Sequence, residues 1–150
     1  MPSRREQVLQ ALDAVLRAAL ESPAFAAERP EYYREQDGPP DLPRGGLVIL
    51  RDGSPGEPEV MLSPLTYLYE HRAEIDVMVA GTAEERQGRF DALCVALGAA
   101  LPPGDTLGGL CDWIEPQPPE PVAIVTEGAE TVKAATIGVI LTYSTSAPLS

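Results

Sequence analysis

Strict alternation of apolar and polar residues in the middle of the chain limits its possible folds most. From 67 to 79 the odd positions carry Tyr, His, Ala, Ile and Val, whereas the even positions from 70 to 76 carry Glu70, Arg72, Glu74 and Asp76. This period of two, over residues 67–81, predicts a long β-strand with one packed face and one solvated, net acidic face. Since one wet face is typical of antiparallel pairing, we expect antiparallel neighbours for this strand.

A second alternating run, residues 134–145, predicts another long strand near the end of the chain. Residues 46–52 and 59–63 are apolar runs separated by a Gly/Pro-rich turn, which favours a hairpin between two strands. Residues 111–115 and 122–126 predict short strands on either side of a proline-rich loop at 116–121. No phosphate-binding glycine pattern occurs in the turn DGSPGEP, so a nucleotide site there is not expected.

Two amphipathic helices complete the pattern. Ser3 with Glu6, and Thr82 with Glu85, have the spacing of capping boxes, and apolar residues then recur every three or four positions until Pro23 and Pro102. The element order predicts a single domain over residues 1–150 of the α+β class. We expect a mixed, mainly antiparallel sheet with the two main helices packed on one face.

Residues 22–45 contain five prolines and show neither helical nor strand periodicity. A stretch of this length without its own structure is uncommon inside a compact domain, so we interpret it as an extended arm. Tyr32 and Tyr33 within it are candidates for burial against a partner, since aromatic rings contribute large areas to interfaces. The alternative is that both rings lie on their own domain.

Charge and apolar content exclude several classes of protein. The 150 residues carry 11 Lys and Arg against 23 Asp and Glu, a net charge of −12. Such a chain is not expected to hold nucleic acid tightly, because that binding depends on cations that displace counterions. No apolar run approaches the ~20 residues of a membrane span. The charged first segment does not suit a secretory signal, and two distant cysteines suit a reducing, intracellular setting.

The sequence offers little for catalysis. His71, the single histidine, lies on the apolar face of the long strand, where a packed histidine is the simplest interpretation and a general base the alternative. Cys94 lies on the apolar stripe of the second helix, and Cys111 has no basic neighbour to activate it. We therefore predict no catalytic residues, no cofactor and no metal.

The acidic row of the long strand, Glu70, Glu74 and Asp76, has two interpretations. It is either an ordinary solvated surface or the wall of a channel. A negatively charged wall would let a polyanion such as DNA pass without binding, because repulsion removes the electrostatic attraction that would slow it.

In the order of its segments the chain resembles the tail terminator proteins of long-tailed phages and of phage-derived gene transfer particles. The likeness covers residues 46 to 145. It consists of GLVILRDGSPGEPEVMLS, YEHRAEIDVMVAG, ERQGRFDALCVALGAAL, DTLGGLCDWIEP and KAATIGVILTYSTSAP, after an amphipathic first helix. The arm 22–45 and the proline-rich insert 116–121 depart from the shortest relatives.

The resemblance implies a non-enzymatic virion protein, assembled in the host cytoplasm and located in the tail. Family members form a homohexameric ring that docks on the last ring of the tail tube, stops polymerisation and offers a surface to head-completion or stopper proteins. DNA would pass through the ring without specific binding. Six copies with a charge of −12 would carry −72, so apolar and aromatic contacts between them must overcome repulsion.

Three segments are the candidate interfaces of such a ring: the arm with Tyr32 and Tyr33, the loop around Arg51 and Asp52, and the proline-rich segment near Trp113. Two alternatives remain open at this point. A stopper or tube subunit would be another head–tail connector component. A small enzyme using Cys111 or His71 would lose turnover when either is replaced by alanine.

Overall fold

The computed structural model describes residues 1–36, 42–122 and 132–150. Helices and strands follow each other along the chain as α1 Arg4–Leu20, β1 Glu31–Arg34, β2 Leu47–Ser54, β3 Glu59–Leu62, β4 Leu65–Ala80, α2 Ala83–Ala100, β5 Trp113–Pro116, β6 Glu120–Val122 and β7 Val132–Thr145, with a short 3-10 turn at Pro23–Phe25.

The seven strands of the described residues belong to one sheet. The hydrogen-bonded order is β1-β2-β4-β7-β5, with β3 paired to β4 and β6 paired to β7. The pair β1–β2 is parallel and the other described pairs are antiparallel. The predicted α+β class, with a mixed and mainly antiparallel sheet and two helices, is therefore confirmed.

The two long strands form the centre of this sheet, as their alternation predicted. β4 and β7 are paired along 14 residues, from Tyr67 opposite Thr145 to Ala80 opposite Val132. Their odd-numbered side chains share one buried cluster with the apolar stripes of both helices. Both helices thus cover the same face of the sheet, which we call the helix face; the opposite side is the open face.

Both predicted helix starts are capped by side chains. The Ser3 hydroxyl accepts a hydrogen bond from the backbone N–H of Glu6, and the Thr82 hydroxyl accepts one from that of Glu85. Each cap satisfies one of the amide groups that a helix start leaves free. Instead of completing its capping box, the Glu6 carboxylate binds Arg34.

The predicted hairpin between residues 46–52 and 59–63 is wrong. Both segments are strands, but β2 and β3 each pair with β4, one after the other along its length. β2 runs on to Ser54 through a register irregularity, and the hairpin partner of β3 is β4, joined through Ser63 and Pro64. Tertiary pairing with the longest strand prevails here over the local turn.

The arm interpretation of residues 22–45 is also wrong in part. β1 lies inside this segment and adds a parallel strand at the edge of β2. Its backbone groups gain ladder hydrogen bonds that a free arm would lack. Residues 37–41 of the predicted arm lie outside the described residues.

The proline-rich insert is shorter than predicted. β5 ends at Pro116 and β6 begins at Glu120, so both ends of the predicted loop 116–121 belong to edge strands. Proline is compatible with an edge strand, where its missing N–H is not needed by a neighbour. Of the predicted strand 122–126, Val122 is the last residue of β6, and 123–126 lie outside the described residues.

Candidate functional site

Four exposed large apolar side chains of the described chain lie together on the hairpin formed by β3 and the start of β4. Leu62 is 77% exposed, and Val60, Met61 and Leu65 are each about half exposed. Successive residues of a strand point to opposite faces, so both faces of β3 are uncovered. A free edge strand with apolar side chains is a ready template for contact with another chain.

Sequence reasoning missed this surface. The run Val60–Leu62 predicted a strand, and continuous apolar runs are typical of strands buried on both faces. β3 is instead exposed at every residue. The available signal was the closeness of the run to Pro58 and Pro64, which restrict it to an edge.

The structure separates the two candidate tyrosines. Tyr32 lies on the helix face, where its hydroxyl donates to Asp13 at 2.7 Å and the Arg17 guanidinium lies 4.8 Å from the ring centroid. Burial, followed by the bond to Asp13, raises the pKa of Tyr32. Tyr33 lies on the open face and donates to Glu31. The two rings therefore do not form one patch, and Tyr32 is largely engaged within its own domain.

The side chains of Arg51 and Asp52 bind residues of neighbouring strands. The Arg51 Nε lies 2.6 Å from an Asp76 carboxylate oxygen on β4. The Asp52 carboxylate accepts two hydrogen bonds from Arg34, and its backbone carbonyl accepts one from the His71 ring. Both candidate residues therefore stabilise contacts between strands of the sheet.

Arg34 joins three elements that are far apart in the sequence. Its guanidinium donates to both oxygens of Glu6 on α1, at 2.9 and 3.0 Å, and to both oxygens of Asp52 on β2, at the same distances. Such paired bonds match the planar fork of arginine. The bond to Arg34 lowers the pKa of the Glu6 carboxyl.

Replacement of Arg34 by methionine is expected to destabilise the fold by about 1–2 kcal/mol, because two partly buried carboxylates then remain without their shared cation. Arg34→Lys is the matched control; it keeps the charge but not the forks, so its loss should be about half as large. Urea unfolding at pH 7 measures both losses, and equal stability of all three chains would contradict the prediction.

The stability that the bond between Glu6 and Arg34 contributes also depends on pH. Because the folded pKa of Glu6 is lowered, this contribution is present above pH 4.5 and is lost as the pH falls through the folded pKa.

Trp113 lies on β5, at the sheet edge opposite β1 and β3. It is 47% exposed, and its indole N–H donates to Glu115. One edge of its ring packs against the backbone of Gly104. A half-exposed tryptophan on an edge strand remains available to a partner.

The acidic row of β4 is less open and less acidic than predicted. Glu70 is exposed, but Glu74 binds Arg72 and Asp76 binds both Arg51 and Thr136. Leu47 and Ile49 on β2 share this open face, as their register opposite Met78 and Asp76 shows, and both are fully buried. The predicted wet face is therefore partly apolar and largely charge-paired, because β2 brings its own apolar and basic side chains to it.

The candidate reactive side chains named from the sequence, one histidine and two cysteines, do not have the features of a general base or a nucleophile. His71 is 1% exposed and both ring nitrogens have partners, Tyr143 and the Asp52 carbonyl. Burial raises the pKa of the Cys111 thiol to about 11 and also raises that of Cys94, so both thiols stay protonated near neutral pH. Among residues 1–36, 42–122 and 132–150, no three His, Cys, Asp or Glu side chains are grouped to hold a metal ion.

Comparison with known proteins gives no assignment: neither the family models nor the curated proteins that were searched match this sequence. Within the described parts of the chain, neither α-helix has the length and apolar content of a membrane span.

Proposed function

We propose that this chain is a tail terminator. Six copies would form a ring on the head-proximal end of a phage-type tail tube, stop polymerisation of the tube, and present the surface that a head-completion or stopper protein joins.

The exposure of apolar side chains at both edges of the sheet carries this proposal. Leu62 and its neighbours on the β3–β4 hairpin lie at one edge, and Trp113 lies at the other. A chain that acts alone usually covers such groups, since large exposed apolar patches mark sites of contact with other proteins. Two different apolar edges on one chain suit a subunit that contacts different neighbours on its two sides.

The order of elements adds support, because an amphipathic helix precedes a mixed sheet as in the terminators that the sequence resembles. The state of the reactive groups favours the proposal over a small enzyme. A nucleophilic thiol needs a lowered pKa, and the pKa of Cys111 is raised. A general base needs a free ring nitrogen near a substrate, and neither nitrogen of His71 is free.

Passage of DNA is compatible with the charge of the chain. With a net charge of −12, a ring would repel the phosphate backbone along most surfaces. Of the three predicted lumen residues, Glu70 is the one that the structure leaves exposed; Glu74 and Asp76 have cationic partners. Glu70 is therefore the strongest lumen candidate of the three.

Deletion of the gene for this chain from the genome that encodes the tailed particle tests the proposal. We expect tubes of uncontrolled length that fail to join heads, and normal tubes and joining when the chain is supplied again. Electron microscopy of the particles measures both length and joining. Particles of normal length with normally attached heads would refute the proposal.

The behaviour of the purified chain distinguishes a terminator from a tube subunit. A terminator caps one end of a tube and cannot add further copies of itself, because it lacks the second tube face. A tube subunit polymerises alone. Long tubes of the pure chain in negative-stain images would reassign it as a tube protein.

A further inference from the structure

We propose that the β3–β4 hairpin of one copy docks into the groove between α2 and the β6–β7 edge of the next copy. This inference deepens the proposed function and rests on it, since the contact would join neighbouring copies within the ring.

The hairpin has the form of an apolar wedge. Val60, Met61 and Leu62 are exposed in succession, and the turn continues into Leu65, also half exposed. No described segment other than β4 pairs with β3. From residue 53 to residue 66 the chain carries two carboxylates, Glu57 and Glu59, and no cation. The wedge is therefore both apolar and acidic.

The described walls of the groove have the opposite charge and the same apolar character. It has a volume of about 490 Å³, and Phe90, Val122 and Val132 are among its walls. Arg86 and Lys133 also line it, and the described lining residues include no carboxylate. Lys133 is the single lysine of the chain and lies 4.6 Å from the centroid of the Phe90 ring. In a chain of charge −12, two cations beside an apolar wall can receive an acidic apolar segment.

A chain cannot fill its own groove. The hairpin lies at the start of β4. Lys133, which lines the groove, lies opposite Val79, near the other end of β4. At a rise of ~3.3 Å per residue, the 14 steps from Leu65 to Val79 span about 46 Å. The contact must therefore join two copies head to tail. Such a heterologous contact closes into a ring when its rotation permits.

The first test replaces the most exposed residue of the wedge. Leu62→Asp is expected to weaken self-association of the full-length chain by about thirtyfold, the factor typical of a lost central contact. Val95→Asp is the matched control, since Val95 is a similarly exposed apolar residue on α2 outside both surfaces. Mass photometry and sedimentation give the masses, and circular dichroism checks the fold. A monomeric wild-type chain at every attainable concentration, or equal loss in the control, would overturn the inference.

The second test exchanges charges. Variant A carries Glu57→Arg and Glu59→Arg, and variant B carries Arg86→Glu and Lys133→Glu. Each variant alone should stay monomeric, because hairpin and groove then have the same sign. Mixed in equal amounts they should assemble, since the hairpin of A fits the groove of B and the hairpin of B fits the groove of A. Failure of the folded mixture to assemble would overturn the inference.

The two proposals fail in different ways. If Leu62→Asp leaves self-association intact but abolishes tube capping, the hairpin contacts the tube and the groove contact is refuted, while the terminator function stands. If A and B assemble together but the particle terminates its tubes normally without the chain, the contact stands and the function is refuted.

Discussion

Replacement of His71 by leucine is expected to destabilise the fold by about 2–6 kcal/mol. The His71 Nε2 faces the Asp52 carbonyl, which can only accept, so this nitrogen carries the proton; Nδ1 then accepts from the Tyr143 hydroxyl, 2.8 Å away. Leucine fills similar volume but leaves the hydroxyl and the carbonyl without partners, each at a cost of ~1–3 kcal/mol. Urea unfolding at pH 7 measures the loss.

A double-mutant cycle isolates the polar contribution. Tyr143→Phe alone leaves Nδ1 without its donor, but in the His71→Leu background it removes a hydroxyl that has already lost its partner. The two effects together should therefore be smaller than their sum by about 1–2 kcal/mol. Additive effects would mean that the bond between His71 and Tyr143 contributes nothing.

The pH dependence of the same pair has a fixed sign. Burial lowers the folded pKa of His71 below 6.5, and Arg5 on α1 acts in the same direction, whereas Asp52 on β2 opposes it. Between the folded pKa and 6.5 the unfolded chain binds more protons than the folded one, so wild-type stability falls as the pH falls through this window. His71→Leu lacks this slope, and the gap between the two chains should narrow from pH 7 towards the folded pKa. Parallel curves would contradict the assignment of a neutral histidine.

The long elements could be predicted because each carries its own periodicity. β4 and β7 alternate over more than ten residues, and α1 and α2 repeat every three or four after a capping residue. Once one face of a strand is buried, a shift by one residue would expose the whole apolar set, so the pattern also fixes the face. The α+β class follows from these four elements.

The short elements could not be predicted because their pairing is decided far away in the sequence. β1 has four residues in a proline-rich segment and forms against β2 through parallel backbone bonds, which leave no local signal. β3 was assigned to the wrong partner since the turn after β2 suggested a hairpin, whereas β4 is long enough to pair with both. Local turn chemistry could not reveal that length.

The candidate surfaces also divide into those that the sequence could indicate and those that it could not. Exposure of Trp113 and Glu70 agrees with their prediction as partner and lumen residues, whose roles stay predictions. Tyr32 and Asp76 looked available because their partners, Asp13 and Arg51, lie on other elements. The hairpin was missed for the opposite reason: apolar residues predict burial, whereas every residue of β3 is exposed within its own chain.

Gly53→Ala is expected to destabilise the fold by about 3–4 kcal/mol, because it adds both backbone strain and a steric overlap at the irregular end of β2. Gly53 has φ +69°, a left-handed conformation that costs alanine ~1–2 kcal/mol. A Cβ there would also overlap the backbone carbonyl of Arg72 on β4, so the two strands would have to move apart. That movement would disturb the neighbouring Asp52 carbonyl and its bond to His71.

Gly56→Ala separates the cost of the left-handed backbone conformation from the cost of the steric overlap. Gly56 has φ +67°, but a Cβ there would meet no atom within 4 Å. Both substitutions stiffen the unfolded chain to the same extent, so this contribution cancels in the comparison. Gly56→Ala should therefore cost only about 1 kcal/mol, and thermal or urea unfolding of the two variants gives the difference. Equal losses would show that β2 and β4 do not approach each other as closely at Gly53 as the structure requires, and that conformation alone keeps glycine at both positions.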